Sequence, residues 1–161
     1  MDKSAIIKYW DNVRRLTLQV LDLIPERELE FRPVDDVRNV AELFEHILEV
    51  ELDFRNGFLF GDWMRRPHLG ATNIIKQQLR EKLEREHEQT SRLLRELPEG
   101  RFMKLHETPY GRISGEGLIY LAIDEEIHHR GNLYTYLRLM NIEPPQMVQR
   151  YGELFMEDKD G

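Results

Sequence analysis

The stretch SGEGLIYLAIDEEIHHRGNLYTYLRLM, residues 114–140, decides the fold of this chain. Its apolar residues recur every three or four positions, which is the periodicity of an amphipathic α-helix. Five of them share one face of that helix, namely Leu118, Ala122, Leu133, Tyr136 and Met140. A helix of this length with one apolar face must pack against others, and we therefore expect an all-α protein.

Glu125 and His129 fall within the same apolar face. Residues four apart on an α-helix lie one turn apart on one side, so this carboxylate and imidazole are predicted to project together towards the core. A carboxylate in the core needs a cation, a metal or good hydrogen bonds to compensate its burial. The spacing is typical of a metal-ligand pair, but it also allows a simple hydrogen bond or a pair with Arg14 or Arg15.

Three further segments have helical periodicity, and no stretch shows the alternation of period two that predicts strands. We predict helices from about residue 4 to 24, from residue 40 to the connection that starts at Gly57, and from about residue 72 to 97. Residues 57–70 and 98–113 are predicted to be irregular connections, and residues 146–156 could form a short fifth helix. The predicted architecture is a four-helix bundle.

The second predicted helix begins with a recognisable cap. Asn39 is a good N-cap residue, and Glu42 follows it at the spacing of a capping box. His46 lies one turn further on, at the edge of the apolar face. This position allows His46 to reach the interior of a bundle.

The other histidines are less suited to bind a metal. His87 lies in the charged run EREHEQ, so we expect it to be solvated. His68 and His106 lie in the predicted connections and could enter a site from a loop. His128 is rotated by roughly 100° from the centre of the apolar face, whereas His129 lies close to it. We therefore prefer His129 as the ligand and keep His128 as a supporting or proton-relay residue.

Composition limits the classes of function. A chain of 161 residues with 33% charged and 40% hydrophobic residues fits one folded domain, residues 1–161. The net charge of −7 argues against a nucleic-acid partner and against anionic membranes. No apolar run reaches membrane-spanning or signal-peptide length, so we expect a cytoplasmic protein. Because cysteine is absent, any metal must be held by histidine and carboxylate.

Three tracts together resemble the DinB-like family, including its YfiT-type members. They are NVAELFEHILEVE at residues 39–51, ETPYGRISGEGLIYL at 107–121 and EEIHHRGNLYTYLRLMNI at 125–142. The resemblance runs from about residue 4 to about residue 141. It implies an up-down-down-up four-helix bundle with a long crossover. It also implies a divalent-metal site made by one histidine of the second helix and two of the fourth.

Carried over, His46 matches the first ligand of the family and His129 matches the last. Glu125 stands where the family pattern H-x-x-x-H-R-G-Q usually has its first histidine, and Asn132 replaces the glutamine. His46, Glu125 and His129 would then form a triad of two imidazoles and one carboxylate with open positions. The extra anionic ligand shifts the preference of the site towards Zn(II), Mn(II) or Fe(II). A site of three imidazoles would instead suit Ni(II) or Zn(II).

The first functional hypothesis is a metal-dependent enzyme, either a hydrolase or a low-molecular-weight thiol transferase, acting on a small molecule. A metal with an open position can activate water or a thiol, and some relatives look like thiol transferases. Since the chain has no cysteine, a thiol would have to come from outside. Glu51, His128 and Tyr136 are candidates for a base or a supporting residue.

The alternative is a non-catalytic binding or scaffold protein with a degenerate or structural metal site. A third hypothesis, a mononuclear iron oxygenase, ranks low because its ligand set usually sits on a β-barrel. P-loop, G-x-G-x-x-G and G-x-S-x-G motifs are absent. Relatives are frequently homodimers, and Phe58, Phe60 and Trp63 are candidates for such an interface.

Overall fold

Four long helices account for most of the computed structural model, which describes residues 2–63 and 75–148. In chain order the elements are α1 (Lys3–Leu23), α2 (Val40–Phe60), α3 (Lys76–Glu96), the short α4 (Glu99–Met103), β1 (Leu105–Thr108), β2 (Gly111–Ser114) and α5 (Gly115–Leu139). A 3-10 turn, Glu26–Glu28, follows α1. The helical class is confirmed, with a small β-hairpin added to it.

Side-chain caps determine where α2 and α5 start. The side-chain oxygen of Asn39 accepts from the Glu42 backbone N–H at 2.8 Å, and Glu42 accepts from the Asn39 backbone N–H at 2.7 Å, which confirms the predicted capping box. The Ser114 hydroxyl caps α5 by accepting from the Gly117 backbone N–H. Gly61 ends α2 in the left-handed conformation, with φ of 72°, where a side chain would be strained.

Two apolar clusters fill the bundle, and their members give the helix directions. One cluster combines the second halves of α1 and α5 with the first halves of α2 and α3. The other combines the opposite halves of the same four helices. Helices α1 and α5 therefore run parallel to each other and antiparallel to α2 and α3. This is the predicted up-down-down-up order, in which α1 and α2 each pack against both α3 and α5.

Helix α2 is longer than predicted, because it continues through Gly57 to Phe60. The absence of a side chain at Gly57 allows the Trp63 ring to pack directly against the helix, because a Cβ atom there would lie 2.2 Å from that ring. Phe58, predicted to lie in a connection and at a dimer interface, is helical and only 3% exposed within the chain's own core. That prediction for Phe58 is wrong, because the residue packs within the second apolar cluster, against the ring of Phe102.

The hairpin β1–β2 lies within the stretch predicted to be irregular. Its strands pair antiparallel from Leu105 with Ser114 to Thr108 with Gly111, around a two-residue turn. Most of its side chains are exposed or half-buried, so the strands carry no alternation of apolar and polar residues that would have revealed them. Helix α3 starts at Lys76 and not near residue 72, since Ile75 is extended and half-exposed.

The predicted short helix over residues 146–156 lies mostly outside the described residues. Across residues 2–63 and 75–148, no helix combines the length and the apolar character needed to cross a bilayer.

Candidate metal centre

The packing of α2 against α5 brings His46 to the Glu125 and His129 pair. His46 lies in the second turn of α2, and Glu125 and His129 lie one turn apart in the middle of α5. The imidazole centroids of His46 and His129 are 4.5 Å apart, with the rings nearly perpendicular. One ligand atom from each of the three side chains lies within 4.8 Å of the other two. The three residues predicted as ligands are thus neighbours in the fold.

The spacing of the donor atoms suits a shared cation. Nε2 of His129 lies 3.4 Å from Oε2 of Glu125, which is longer than a good hydrogen bond. Two ligand atoms bound to one tetrahedral zinc ion lie roughly 3.4 Å apart, given bonds of about 2.1 Å. Glu125 and His129 could therefore bind one ion with little movement.

Both imidazoles of the triad are held in the neutral state. Burial, with the neighbouring His46 and His128, lowers the pKa of His129 to about 4. Burial and the guanidinium of Arg38 also lower the pKa of His46. A neutral imidazole keeps a lone pair for a metal ion, so neither histidine needs to lose a proton before binding at neutral pH.

The polar atoms around the two rings also fit a cation. His129 is only 7% exposed, and its Nε2 atom is the ring nitrogen that lies beside Glu125 and could bind the shared ion. Nδ1 of His46 lies 3.6 Å from a carboxylate oxygen of Glu49, which leaves Nε2 of His46 available to an ion. Two imidazoles and a carboxylate are a donor set that fits Zn(II), Mn(II) or Fe(II).

The sequence had led us to expect that Glu125 faces the core, but in the structure it does not. Its side chain is 49% exposed, whereas the next residue, Glu126, is 3% exposed. Oε1 of Glu126 lies 2.8 Å from Nε of Arg14. The prediction failed because α1 packs against the side of α5 that carries Glu126, whereas Glu125 lines the open cleft between α2 and α5. Arg14, which the sequence allowed as a partner for Glu125, therefore pairs with Glu126.

A cleft of about 990 Å³ opens beside the triad, between α2, α5 and the hairpin. Four residues of its wall follow His46 at helical spacing on α2, namely Glu49, Val50, Asp53 and Phe54. Trp63 and the hairpin turn, Pro109 and Tyr110, complete the wall. Of these residues, the sequence had singled out only Trp63, as a candidate for a dimer interface. Their spacing from His46 could have identified the α2 set, but nothing local indicated the turn.

The three residues considered as bases lie in different environments. His128 is exposed, and its ring lies 4.9 Å from that of His129. The hydroxyl of Tyr136 donates to the backbone carbonyl of Arg38 at 2.8 Å, and burial raises its pKa. Glu51 is buried outside the cleft wall. His128 is therefore the candidate that remains open to solvent beside the site.

Glu51 belongs instead to a buried polar network. Burial would raise the pKa of Glu51, but the positive charges of Arg14 and His87 lower it to about 2. Its carboxylate oxygens lie 2.8 Å from Nη2 of Arg14 and 2.9 Å from Nδ1 of His87. A carboxylate held ionised in this way is a weak base at neutral pH.

His87 is buried, so the prediction that it is solvated is wrong. It is 6% exposed, its Nε2 lies 3.2 Å from a carboxylate oxygen of Asp11, and its ring packs edge-on against Trp10. Burial would lower the pKa of His87, but Glu51 and Asp11 raise it above its usual value. The charged neighbours in the sequence concealed that His87 shares a helix face with the buried Leu83.

The network joins all four long helices near the middle of the bundle. Arg14 comes from α1, Glu51 from α2, His87 from α3 and Glu126 from α5. Glu126 also accepts hydrogen bonds from the indole of Trp10 and the hydroxyl of Thr17. Removing one partner of such a buried set leaves an uncompensated charge, so the network belongs to the fold rather than to the cleft.

Of the two loop histidines, the structure describes only His106, and that residue does not join the triad. His106 lies in β1, half-buried, with its Nε2 2.9 Å from the carbonyl oxygen of Arg101. His68 lies outside the described residues.

Comparisons with known proteins agree with this architecture. The model of the DinB family matches residues 1–158. The chain is similar to the uncharacterized protein YjoA of Bacillus subtilis strain 168, with 27% identity over 151 residues, 91% of this chain and 97% of YjoA.

Solved structures give the same result. The crystal structure of YjoA, described as a DinB-like protein, has a TM-score of 0.73 and 25% identity, covering 88% of this chain and 95% of YjoA. A structure assigned to the DinB family, from Exiguobacterium sibiricum 255-15, has a TM-score of 0.67 and 21% identity, covering 88% of this chain and 93% of that one. The second likeness concerns the fold alone.

Proposed function

We propose, because this chain belongs to the DinB family and places two histidines and a glutamate beside a cleft, that it is a metal-dependent enzyme acting on a small molecule. The observation that carries this proposal is that one ligand atom from each of His46, Glu125 and His129 lies within 4.8 Å of the other two, with His46 and Glu125 lining that cleft. When bound, a divalent ion there supplies a Lewis acid that polarises a substrate or strengthens a nucleophile at neutral pH.

The residues of the chain would divide the work around such an ion. His46 and His129 offer neutral imidazoles, and Glu125 offers one negative charge from a half-exposed position at the cleft. Glu49 orients the ring of His46 through the contact to its Nδ1 atom. His128, exposed beside His129, is placed to move a proton to or from solvent.

Two reaction classes suit this arrangement, hydrolysis and transfer of a low-molecular-weight thiol. Both require a small molecule to reach the triad, and the cleft is large enough for a ligand of that size. The apolar part of a substrate would lie against Phe54, Trp63 and Leu121. For thiol transfer the thiol must be supplied from outside, because the chain has no cysteine.

A purely structural metal is the alternative, and the buried network argues against it. The charges of Arg14, Glu51, His87 and Glu126 already join the four long helices without an ion. An ion at the half-exposed Glu125 would add little to the packing of α3, which contributes no ligand to the triad. The bundle therefore has no evident need of a metal to fold.

Elemental analysis by inductively coupled plasma mass spectrometry tests the proposal. It is made on untagged protein purified without chelators, with a metal titration of the stripped form. We expect near-stoichiometric metal in the wild type and in His128→Ala, the matched control, and a sharp loss in His46→Ala and His129→Ala. Equal metal content in all four proteins would refute the site. Unfolding of the two ligand variants would instead favour the structural role.

A further inference from the structure

Arg38 is a positive charge in the wall of the cleft that opens beside the triad. It lies directly before the N-cap of α2, and it lines the cleft together with His46 and Glu125. Arg38 therefore shares the wall of one cleft with two of the three candidate ligands.

The guanidinium of Arg38 has no acidic partner within residues 2–63 and 75–148, where it makes neither an ion pair nor a side-chain hydrogen bond. Its neighbour Arg32, by contrast, pairs with Glu42. Arginine carries five N–H donors in a fixed fork that matches a carboxylate, so an unpaired arginine at a cleft is suited to bind one.

The backbone of Arg38 is held in place from the opposite helix. The hydroxyl of Tyr136 donates to the carbonyl oxygen of Arg38, and Tyr136 is itself buried on α5, two turns beyond His129. The same helix therefore positions both the base of the arginine and one of the ligands. Such an arrangement fixes the backbone position from which the Arg38 side chain extends.

We propose that Arg38 determines specificity by binding a carboxylate of the substrate while the reacting atom lies at the ion held by His46, Glu125 and His129. This inference rests on the proposed function. A carboxylate fits better than a phosphate dianion, because the cleft wall contains one arginine together with the acidic residues Glu49 and Asp53, which disfavour a second negative charge on the ligand.

Two small thiols test the inference, because a thiol group seeks the metal and the rest of the molecule reports on Arg38. The probes are 3-mercaptopropionate, which carries a carboxylate, and its neutral amide. Their dissociation constants are measured from the visible absorption of cobalt-loaded protein. The variants are Arg38→Gln, Arg38→Lys and Arg112→Gln, the last changing an exposed arginine of the hairpin that pairs with Glu107 outside the cleft wall.

In the wild type and in Arg112→Gln we expect the acid to bind about five- to tenfold more tightly than the amide, the range of an accessible charge-assisted hydrogen bond. Arg38→Gln should abolish this preference, and Arg38→Lys should restore part of it. A general structural effect would weaken the binding of both thiols and leave the ratio of their dissociation constants unchanged.

An unchanged ratio in Arg38→Gln, or no binding of either thiol to the cobalt-loaded wild type, would overturn the inference alone. Absence of cobalt absorption from the wild type would overturn the proposed function and this inference with it. The two failures differ in the spectrum recorded before any thiol is added.

Discussion

Two adjacent carboxylates show how strongly a role depends on direction within a helix. Glu125 and Glu126 differ by one position, which rotates a side chain by about 100° around the axis. Glu125 is half-exposed at the cleft beside His129, whereas Glu126 is buried against Arg14. Burial would raise the pKa of Glu126, but the Arg14 guanidinium lowers it. One residue is suited to a metal and the other to the core.

Replacing Glu126 by glutamine should destabilise the fold without changing metal binding. The substitution leaves Arg14 buried with one fewer counter-charge, which costs about 3–5 kcal/mol where a buried pair is broken. Urea unfolding measures the loss. The matched variant Glu125→Gln should change the free energy of unfolding by less than about 1 kcal/mol, because its side chain is half-exposed. Equal losses in the two variants would contradict the assignment of their roles.

Replacing Glu125 by histidine tests the same residue for metal binding. It completes a three-imidazole set, which suits Ni(II) and Zn(II). We expect the affinity for these ions to rise about tenfold, measured by competition with a chromophoric chelator. Asp124→His, which adds an exposed histidine one position earlier, serves as the control and should have no such effect. A similar gain in both variants would mean that Glu125 is not a ligand.

At the scale of elements, the start of α2 positions one candidate ligand and one wall of the cleft. The capping box of Asn39 and Glu42 fixes the first turn, and His46 follows in the second turn. Arg38 lies just outside the helix, so the same cap also sets the base of that side chain. A local sequence signal thus determines how this helix enters the site.

Removing that cap should weaken the protein by a modest amount. Asn39→Ala loses the hydrogen bond to the Glu42 backbone N–H, which is worth about 1 kcal/mol. For a chain of this size we expect the melting temperature to fall by about 2–4 °C. Circular dichroism during heating measures the shift, and Asn39→Ser should retain most of the stability. No difference between the alanine and serine variants would show that the cap contributes nothing.

At the scale of the whole molecule, the buried charges form a layer between the two apolar clusters. His87 is held between Glu51 and Asp11, near Arg14 and against the ring of Trp10. The layer comes closest to charge balance when His87 is protonated. The stability of the bundle is therefore expected to depend on the charge of this histidine.

The sign of this pH dependence follows from the raised pKa of His87. Its usual value is 6.5, and the folded-state pKa lies above that. Its stabilisation is therefore complete below about pH 6.5 and is lost as the pH rises through the folded-state value. Urea unfolding of metal-free protein from about pH 6 to about pH 9 should show a decline. His87→Gln should be less stable and lack that decline, whereas His106→Gln should keep it. A decline that persists in His87→Gln would exclude His87 as its source.

Local pattern was sufficient for much of the candidate site. The helical spacing in residues 114–140, the capping box at Asn39 and the residue types at His46, Glu125 and His129 are properties of short segments. Each depends on contacts within one or two helical turns, which a sequence displays directly. The helical class and the grouping of the three candidate ligands were predictable for this reason, the grouping with the help of the family resemblance.

Packing between distant segments decided the rest. It buried Glu126 in place of Glu125, and it enclosed His87 between carboxylates from α1 and α2. It also placed the turn at Tyr110 opposite α2 to complete the cleft. The sequence by itself determined which helices form and which donor atoms they carry. Only the tertiary structure decided which charged side chains are buried and which face the cleft, because burial depends on the direction from which other helices approach.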